Sequence, residues 1–182
     1  MKNAPKKMSE KKYPMANDAT KIIELLALIR HPEGGWFSEV YRSNESIKTE
    51  HLPERYITTH CFSTSIYFLL KNDDFSAFHR ILSDETWHFY LGSPIVIFCI
   101  LPDGATSKIL LGNNLIEGQL FQYTIPKGCW FAAKCLYADS FSLVGCTVSP
   151  GFEFSDFELA HRQQLTEMFP QHATLIAGFT RQ

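Results

Sequence analysis

The stretch FHRILSDETWHFYLG, residues 78–92, indicates two β-strands joined by a short turn. Residues 76–82 and 87–91 are short runs rich in aromatic and aliphatic side chains on either side of the turn, which is typical of strands. The stretch also concentrates titratable side chains of the kinds that bind metals or transfer protons: His79, Asp84, Glu85 and His88. It is therefore both the strongest strand signal and the first candidate site.

Period-2 counting assigns faces to these side chains, because successive side chains of a strand point to opposite sides. On the first strand, His79 and Ile81 share a face, and Phe78 points away from them. On the returning strand, an inward Glu85 brings Trp87 inward with it, and His88 then faces the opposite side.

Outward from this hairpin, most of the chain is a series of short apolar runs separated by turn signals such as Pro102-Asp103-Gly104 and Pro126-Lys127-Gly128. The runs are residues 37–42, 56–61, 64–70, 76–82, 87–91, 95–101, 107–111, 120–125, 129–135 and 141–148. About ten short strands at this spacing are typical of an antiparallel sandwich or barrel. Helical periodicity appears only at residues 18–30 and 156–168, which predicts one helix at each end.

The composition excludes several function classes. The longest apolar run, residues 95–101, is far shorter than the ~20 residues that span a bilayer as a helix, so we expect no membrane segment. The net charge of −2 argues against a nucleic-acid binder with a basic face. Residues 1–16 carry a lysine cluster and are expected to form a disordered tail, which leaves residues 17–182 as a single domain.

The cysteines favour a reducing compartment. There are five, an odd number, and none forms a Cys-x-x-Cys pair. Each lies inside a predicted strand, where a free cysteine behaves as a small buried apolar residue. Since no export signal is recognisable either, the expected location is the cytoplasm.

The hairpin and a second segment resemble the two motifs of the cupin superfamily. His79, Glu85 six residues on, and Gly92 match parts of the first motif, and GQLFQYTIPKGCWF, residues 118–131, resembles the second. Together with HPEGGWFSEVYRS (31–43) and VGCTVSPGFEFSDFELA (144–160), they are similar to one uncharacterised cupin family, formerly a domain of unknown function. The resemblance implies an all-β, cupin-type antiparallel barrel of the jelly-roll kind, and a homodimer.

The departures from the cupin motifs bear on metal binding. A metal-binding cupin uses three histidines and a glutamate, but here Ile81 and Phe131 stand at two of the histidine positions. Only His79 and Glu85 remain, and two ligands hold a transition metal weakly. A divalent transition metal is therefore the alternative hypothesis, and it requires His88 to turn inward beside His79 and Glu85.

The metal-free hypothesis follows a different resemblance, to the cupin epimerases of deoxy-keto-sugar nucleotides. These enzymes use a pocket histidine as base and a tyrosine as acid. The resemblance implies His79 as the base, oriented by Glu85, and a tyrosine chosen from Tyr41, Tyr67 and Tyr90. We prefer Tyr41, because period-2 counting puts it on one face with Phe37 and Glu39.

A small polar ligand, in this resemblance a sugar or nucleotide sugar, would contact side chains on several strands. The candidates are Glu39, Tyr67, Trp87, Gln122 and Trp130. A third hypothesis remains open, in which the barrel binds such a ligand without catalysis.

Overall fold

The computed structural model of the chain describes residues 18–71 and 74–181. The predicted tail, residues 1–16, lies outside the described residues. Thirteen strands and three α-helices make up the described part. The strands are β1 (Ile29–Arg30), β2 (Trp36–Arg42), β3 (Ser46–Ile47), β4 (His60–Cys61), β5 (Thr64–Lys71), β6 (Phe75–Arg80), β7 (Asp84–Gly92), β8 (Ile95–Ile100), β9 (Thr106–Leu111), β10 (Gln122–Ile125), β11 (Trp130–Cys135), β12 (Phe141–Ser149) and β13 (Glu158–Leu159).

Two antiparallel sheets form the body of the protein. One has the strand order β1-β2-β5-β12-β7-β10 and the other β13-β6-β11-β8-β9. The hairpin of residues 78–92 crosses between them, since β6 belongs to one sheet and β7 to the other. The predicted all-β antiparallel barrel is confirmed.

The main core lies between the two sheets. Its largest members come from both sheets and are almost fully buried: Phe68, Trp87, Ile95, Ile97, Leu111, Ile125 and Phe131. Alternation of inward and outward residues along each strand produces this core, and the burial of its large side chains is the main stabilising term of the fold.

The helices are shorter than the periodicity predicts. Helix α1 spans Ala19–Leu25, where the Asp18 side chain caps the Thr20 amide as expected. It ends before Ala27, whose φ of 50° is left-handed. Arg30, predicted to close this helix, instead lies in β1 and pairs with Asp74.

At the other end, helix α2 begins at Arg162 rather than Asp156 and is followed by helix α3. The bounds are α2 (Arg162–Met168) and α3 (Ala173–Gly178). Asp156 lies in a short 3₁₀ turn, where His60 holds it, so it does not cap a helix. Within the described part of the chain, no helix has both the length and the apolar character to cross a membrane.

These terminal helices cover Phe78, which the sequence analysis places on the outer side of its strand. Phe78 is fully buried and packs with Leu165, Ile176 and Phe179. Its face relative to His79 is therefore as predicted, but a second small core covers it.

Strand β2 contains a bulge that changes which side chains face the barrel interior. Glu39 pairs with Ile66 and Tyr41 with Ser65, so Val40 is the extra residue between two consecutive ladder positions. A bulge of this kind reverses the alternation beyond it. Phe37 and Glu39 face inward, but Arg42 rather than Tyr41 continues that face.

Candidate functional site

A cavity of about 80 Å³ opens between the sheets at one end of the barrel. Its floor carries titratable side chains and its walls are mostly apolar. The titratable lining residues are His31, Glu33, Glu39, Arg42, His79, Glu85 and Cys146. A space of this size holds several water molecules or a small ligand.

The loop between β1 and β2 brings Glu33 into this cavity against His79. The Glu33 carboxyl places Oε2 3.1 Å from His79 Nε2 and 3.3 Å from His31 Nδ1. Its other oxygen accepts a hydrogen bond from the Ser76 hydroxyl at 2.9 Å. Glu33 thus lies at the centre of the polar floor, with a side chain only 6% exposed.

The His79 ring is fixed by a hydrogen bond at Nδ1 and by aromatic packing. Nδ1 lies 2.8 Å from the Ala77 carbonyl oxygen, which only accepts, so Nδ1 carries the proton and donates. The ring of Phe131, at a centroid distance of 4.0 Å, packs against the imidazole. In a neutral His79, Nε2 is consequently a lone pair facing Glu33.

Burial keeps this cluster neutral. It lowers the pKa of His79 from 6.5 to about 3 and that of His31 to about 4. Burial, reinforced by the charge of Glu85, raises the pKa of Glu33 well above its ordinary value. Glu33 then carries a proton 3.1 Å from the lone pair of His79 Nε2, so that one exchangeable proton lies beside both residues.

Glu85 is the second carboxyl group of the cavity. Burial raises its pKa from 4.5 to about 7, while the Cys146 thiol and the Trp87 indole beside it act in the opposite direction. No cation is among the groups that shift this pKa. Glu85 is therefore a carboxyl that gains and loses its proton near neutral pH.

Two neighbours of Glu85 complete this side of the cavity. The Trp87 indole N–H is buried and forms no hydrogen bond within the usual limits of distance and angle to any described residue. Burial, followed by the charges of Glu85 and Glu33, raises the pKa of the Cys146 thiol well above its ordinary value. Cys146 is consequently a neutral thiol and not a nucleophilic thiolate.

Three aromatic side chains from the loop after β12, Phe152, Phe154 and Phe157, cover the cavity. A buried pair anchors this loop: His60 Nε2 lies 2.6 Å from Asp156 Oδ2, and both side chains are almost completely buried. The aromatic cover is therefore tied to the barrel by a buried hydrogen bond, not by apolar packing alone.

Arg42 lies at the mouth of the cavity, and every nitrogen of its guanidinium is engaged. Nε and Nη2 donate to the Glu39 carboxylate, Nη1 donates to Glu153 at 2.7 Å, and Nη2 also donates to the Phe152 carbonyl. The mouth thus has one guanidinium between two carboxylates.

A family model described as Cupin superfamily (DUF985) matches residues 20–160. The chain belongs to this cupin family. The uncharacterized protein YML079W of Saccharomyces cerevisiae is 28% identical to this cupin over 157 residues, which are 80% of this chain and 78% of the yeast protein. The motif resemblance seen in the sequence is confirmed.

Solved structures agree with this assignment. Protein SO0799 from Shewanella oneidensis matches with a TM-score of 0.82 and 38% identity, over 90% of this cupin and 98% of that chain. A hypothetical protein from Leishmania major matches with a TM-score of 0.82 and 35% identity, over 91% and 100%. Oxalate decarboxylase from Bacillus subtilis, at 13% identity and a TM-score of 0.51 over 82% of this cupin and 36% of that chain, shares the fold alone.

The structure brings four of the predicted site residues to the cavity or its mouth: His79, Glu85, Trp87 and Glu39. Glu85 and Trp87 share the inward face of β7, as period-2 counting predicts. The carboxyl group in close contact with His79, however, is that of Glu33 at 3.1 Å and not that of Glu85.

Other predicted residues lie elsewhere. Tyr41 is 54% exposed on the far side of the β2 bulge, so its predicted face is wrong. Tyr67 packs on the outer side of its sheet, with its ring 6.0 Å from that of Tyr90. Gln122 is exposed on β10, and Trp130 belongs to the small core under the terminal helices.

The alternative metal set does not come together. His88 faces away from the cavity, where its Nε2 lies 3.3 Å from the Thr147 hydroxyl. The two histidine positions of the cupin motifs hold Ile81, which lines the cavity, and Phe131, which packs on His79. Among the described residues, no group of three or more His, Cys, Asp or Glu side chains is arranged to hold a metal ion.

Sequence reasoning missed His31, Glu33 and Arg42. The pair His31-Pro32 reads as a helix stop and Gly34-Gly35 as a turn, which hides Glu33 between them. The available signal was the HPEGG segment at the start of the family motif 31–43, but the resemblance assigns no role to its residues.

Proposed function

We propose that this cupin binds a small molecule in the cavity and is a metal-independent isomerase or epimerase that transfers protons through two carboxyl groups. One observation carries the proposal: Glu33 Oε2 and His79 Nε2 lie 3.1 Å apart, close enough to share one proton, in the same buried cavity as Glu85. A site with two proton carriers can remove a proton at one position of a ligand and return one at another.

The charges of the two carboxyl groups are coupled. Ionised Glu85 raises the pKa of Glu33, because like charges in a poorly hydrated site repel. The cavity therefore favours one negative charge at a time. Near pH 7 that charge belongs to Glu85, whose pKa is about 7, and the proton remains with Glu33 and His79.

A balanced proton transfer follows from this arrangement. The Glu85 carboxylate takes a proton from a carbon beside a ligand carbonyl, while the proton of Glu33 passes to the carbonyl oxygen. The ligand becomes a neutral enol, Glu85 becomes neutral and Glu33 becomes the carboxylate. Glu85 then returns its proton to carbon, on the other face or at the other carbon of an enediol, while the oxygen proton goes back to Glu33. This completes epimerisation or isomerisation, and no additional charge is buried at any step.

His79 and Trp87 support this chemistry in different ways. Nδ1 of His79 is bonded to the Ala77 carbonyl and Nε2 faces Glu33 at 3.1 Å, so His79 acts through Glu33, as the group that receives or returns its proton. The unpaired indole N–H of Trp87 is available to donate to a ligand oxygen. His79 is thus a positioning residue in this mechanism rather than the base that contacts the ligand.

The experiment is proton exchange in D₂O. Hydroxyacetone, cyclohexanone and phenylacetone are incubated with the protein at pH 7, and incorporation of deuterium beside the carbonyl is followed by NMR. We expect catalysed exchange for at least one compound. General acid and base groups contribute roughly 10²–10⁴-fold, so Glu85→Gln and Glu33→Gln should each lower the rate by about 100-fold or more.

His51→Gln is the matched control, because His51 is an exposed histidine outside the cavity. It should exchange deuterium at the wild-type rate. Compounds that bind without any catalysed exchange would overturn the enzymatic proposal and favour a non-catalytic binding module. Exchange that survives both carboxyl substitutions would overturn the assignment of the proton carriers.

A further inference from the structure

The walls and the mouth of the cavity define the kind of ligand that it accepts. We infer that the ligand is a small, uncharged carbonyl compound with an apolar body, rather than a sugar nucleotide or another anion. This inference rests on the proposed function, since the carbonyl group is what the two carboxyl groups would act on.

The first observation is the lining. Apart from the polar floor, the cavity is surrounded by aromatic and aliphatic side chains: Phe37, Phe68, Phe152, Phe154, Phe157 and Ile66. A ligand with many hydroxyl groups would leave most of them without hydrogen-bond partners against such walls, which is costly. An apolar ring or chain is favoured by the same walls, through burial and edge-to-face aromatic contacts.

The second observation is the charge. Arg42 is the one lysine or arginine that lines the cavity in the described part of the chain, and Glu39 and Glu153 already occupy its guanidinium. An anionic ligand would have to displace a carboxylate from Arg42 and would approach a third one, that of Glu85. Because one guanidinium faces two carboxylates, the mouth repels anions.

The third observation is the placement of the free polar groups. The Trp87 indole N–H and the Glu85 carboxyl lie next to each other on the inward face of β7, and the contact between them falls outside the usual limits of a hydrogen bond, so that a ligand can replace it. Such a pair suits one carbonyl group: the indole N–H can donate to the carbonyl oxygen, and the carboxylate can accept the proton of the neighbouring C–H. The cavity is small, about 80 Å³, which favours a compact ligand.

The experiment compares ligands that differ only in charge. Phenylacetone and phenylpyruvate share the same ring and ketone, but a carboxylate replaces the methyl group in phenylpyruvate. UDP-glucose represents the sugar nucleotides. Binding is measured by NMR titration of the tryptophan indole N–H signals at pH 7, with Trp87→Phe identifying the Trp87 signal.

We expect phenylacetone to shift the Trp87 signal saturably and phenylpyruvate to bind at least tenfold more weakly. A cavity-filling variant, Ile66→Phe, should abolish the shift, and Ser65→Phe, its neighbour on the opposite face of β5, should not. If Ile66→Phe does not fold, Val148→Leu fills the same cavity with a smaller change.

Tighter binding of phenylpyruvate or UDP-glucose, or no binding of phenylacetone, would overturn the inference. The two proposals fail in different ways. Binding of phenylacetone with no exchange of any bound compound would refute the proton-transfer function and leave the ligand class standing. Catalysed exchange on an anionic ligand would refute the inferred ligand class and leave the proton-transfer function standing.

Discussion

Glu33 Oε2 and His79 Nε2 lie 3.1 Å apart, a close contact between two atoms that are both acceptors unless one of them carries a proton. Because Nδ1 of His79 already donates to the Ala77 carbonyl, the proton of the pair lies on Glu33 Oε2 or His79 Nε2. Burial favours the neutral form of both residues. The first prediction tests this state directly.

Glu33→Gln should fold with almost unchanged stability and lose activity. The amide can accept from Ser76 through its oxygen and donate to His79 Nε2, as a protonated Glu33 does, but it has no proton to transfer. We expect the free energy of unfolding to change by less than about 1 kcal/mol, whereas Glu33→Ala, which leaves both partners unpaired, should cost about 2–3 kcal/mol. Urea unfolding measures both. A large loss in Glu33→Gln would mean that Glu33 is ionised in the folded protein.

The raised pKa of Glu85 predicts a pH-dependent difference between the wild type and Glu85→Gln. The unfolded chain ionises Glu85 above pH 4.5, but the folded protein keeps it protonated until about pH 7. Rising pH between these values therefore stabilises the unfolded wild type, and its stability falls relative to the variant by up to about 3 kcal/mol in total. The contributions of His31 and His79 to the pH dependence of stability cancel in this comparison, because both proteins contain them. Parallel stability curves from pH 4.5 to pH 8 would refute the shifted pKa.

The sheets of this cupin were predictable because their signal is local. Alternation and turn residues specify strands, and period-2 counting correctly separates Glu85 and Trp87 from His88 on β7. The same rule fails on β2 at Val40, since a bulge adds a residue and leaves no clear mark in the sequence. Because of the bulge, Arg42 lines the cavity and Tyr41 faces away from it.

The floor of the site was less accessible to sequence reasoning, because distant contacts position it. The loop that carries Glu33 is held by Asp74, which accepts from the Gly35 amide, and by Arg181, which bonds Asp74 and the Phe75 carbonyl. No local sequence pattern predicts that Arg181 contacts the loop before β2, because the two are far apart in the sequence. Prediction of the site therefore stopped at the residues on regular strands.

The buried pair of His60 and Asp156 predicts a large loss of stability on substitution. His60→Ala leaves the Asp156 carboxyl buried without its partner at 2.6 Å, so we expect a cost of about 3–5 kcal/mol. Glu158→Gln is the control, because Glu158 pairs with Arg80 at the surface and its loss should cost less than about 1 kcal/mol. Similar losses in both variants would show that the buried pair does not hold the aromatic loop in place.

Chelation should leave the protein unchanged. His88 faces away from the cavity and Nε2 of His79 is occupied by Glu33, so the two residues do not offer free donors at one point. We expect dialysis against EDTA to leave the melting temperature within about 1 °C, a shift that corresponds to a fraction of 1 kcal/mol. Elemental analysis of protein purified without chelator provides the second measurement. Near one equivalent of iron, manganese, nickel or zinc would contradict the metal-free mechanism.

Gly35 and Gly128 have the same backbone conformation, with φ of +73° in each, but different surroundings, which makes them a matched pair. A Cβ at Gly128 meets nothing within 4 Å, whereas at Gly35 it lies 2.7 Å from a Leu70 methyl and 2.8 Å from the Leu69 carbonyl oxygen. Gly128→Ala should therefore cost only the left-handed strain, about 1–2 kcal/mol, and Gly35→Ala about 1–3 kcal/mol more. Because Gly35 closes the loop that carries Glu33, Gly35→Ala should also slow deuterium exchange, while Gly128→Ala keeps the wild-type rate at a temperature where both are folded. Equal losses of stability and rate in the two variants would show that close packing of this loop does not position Glu33.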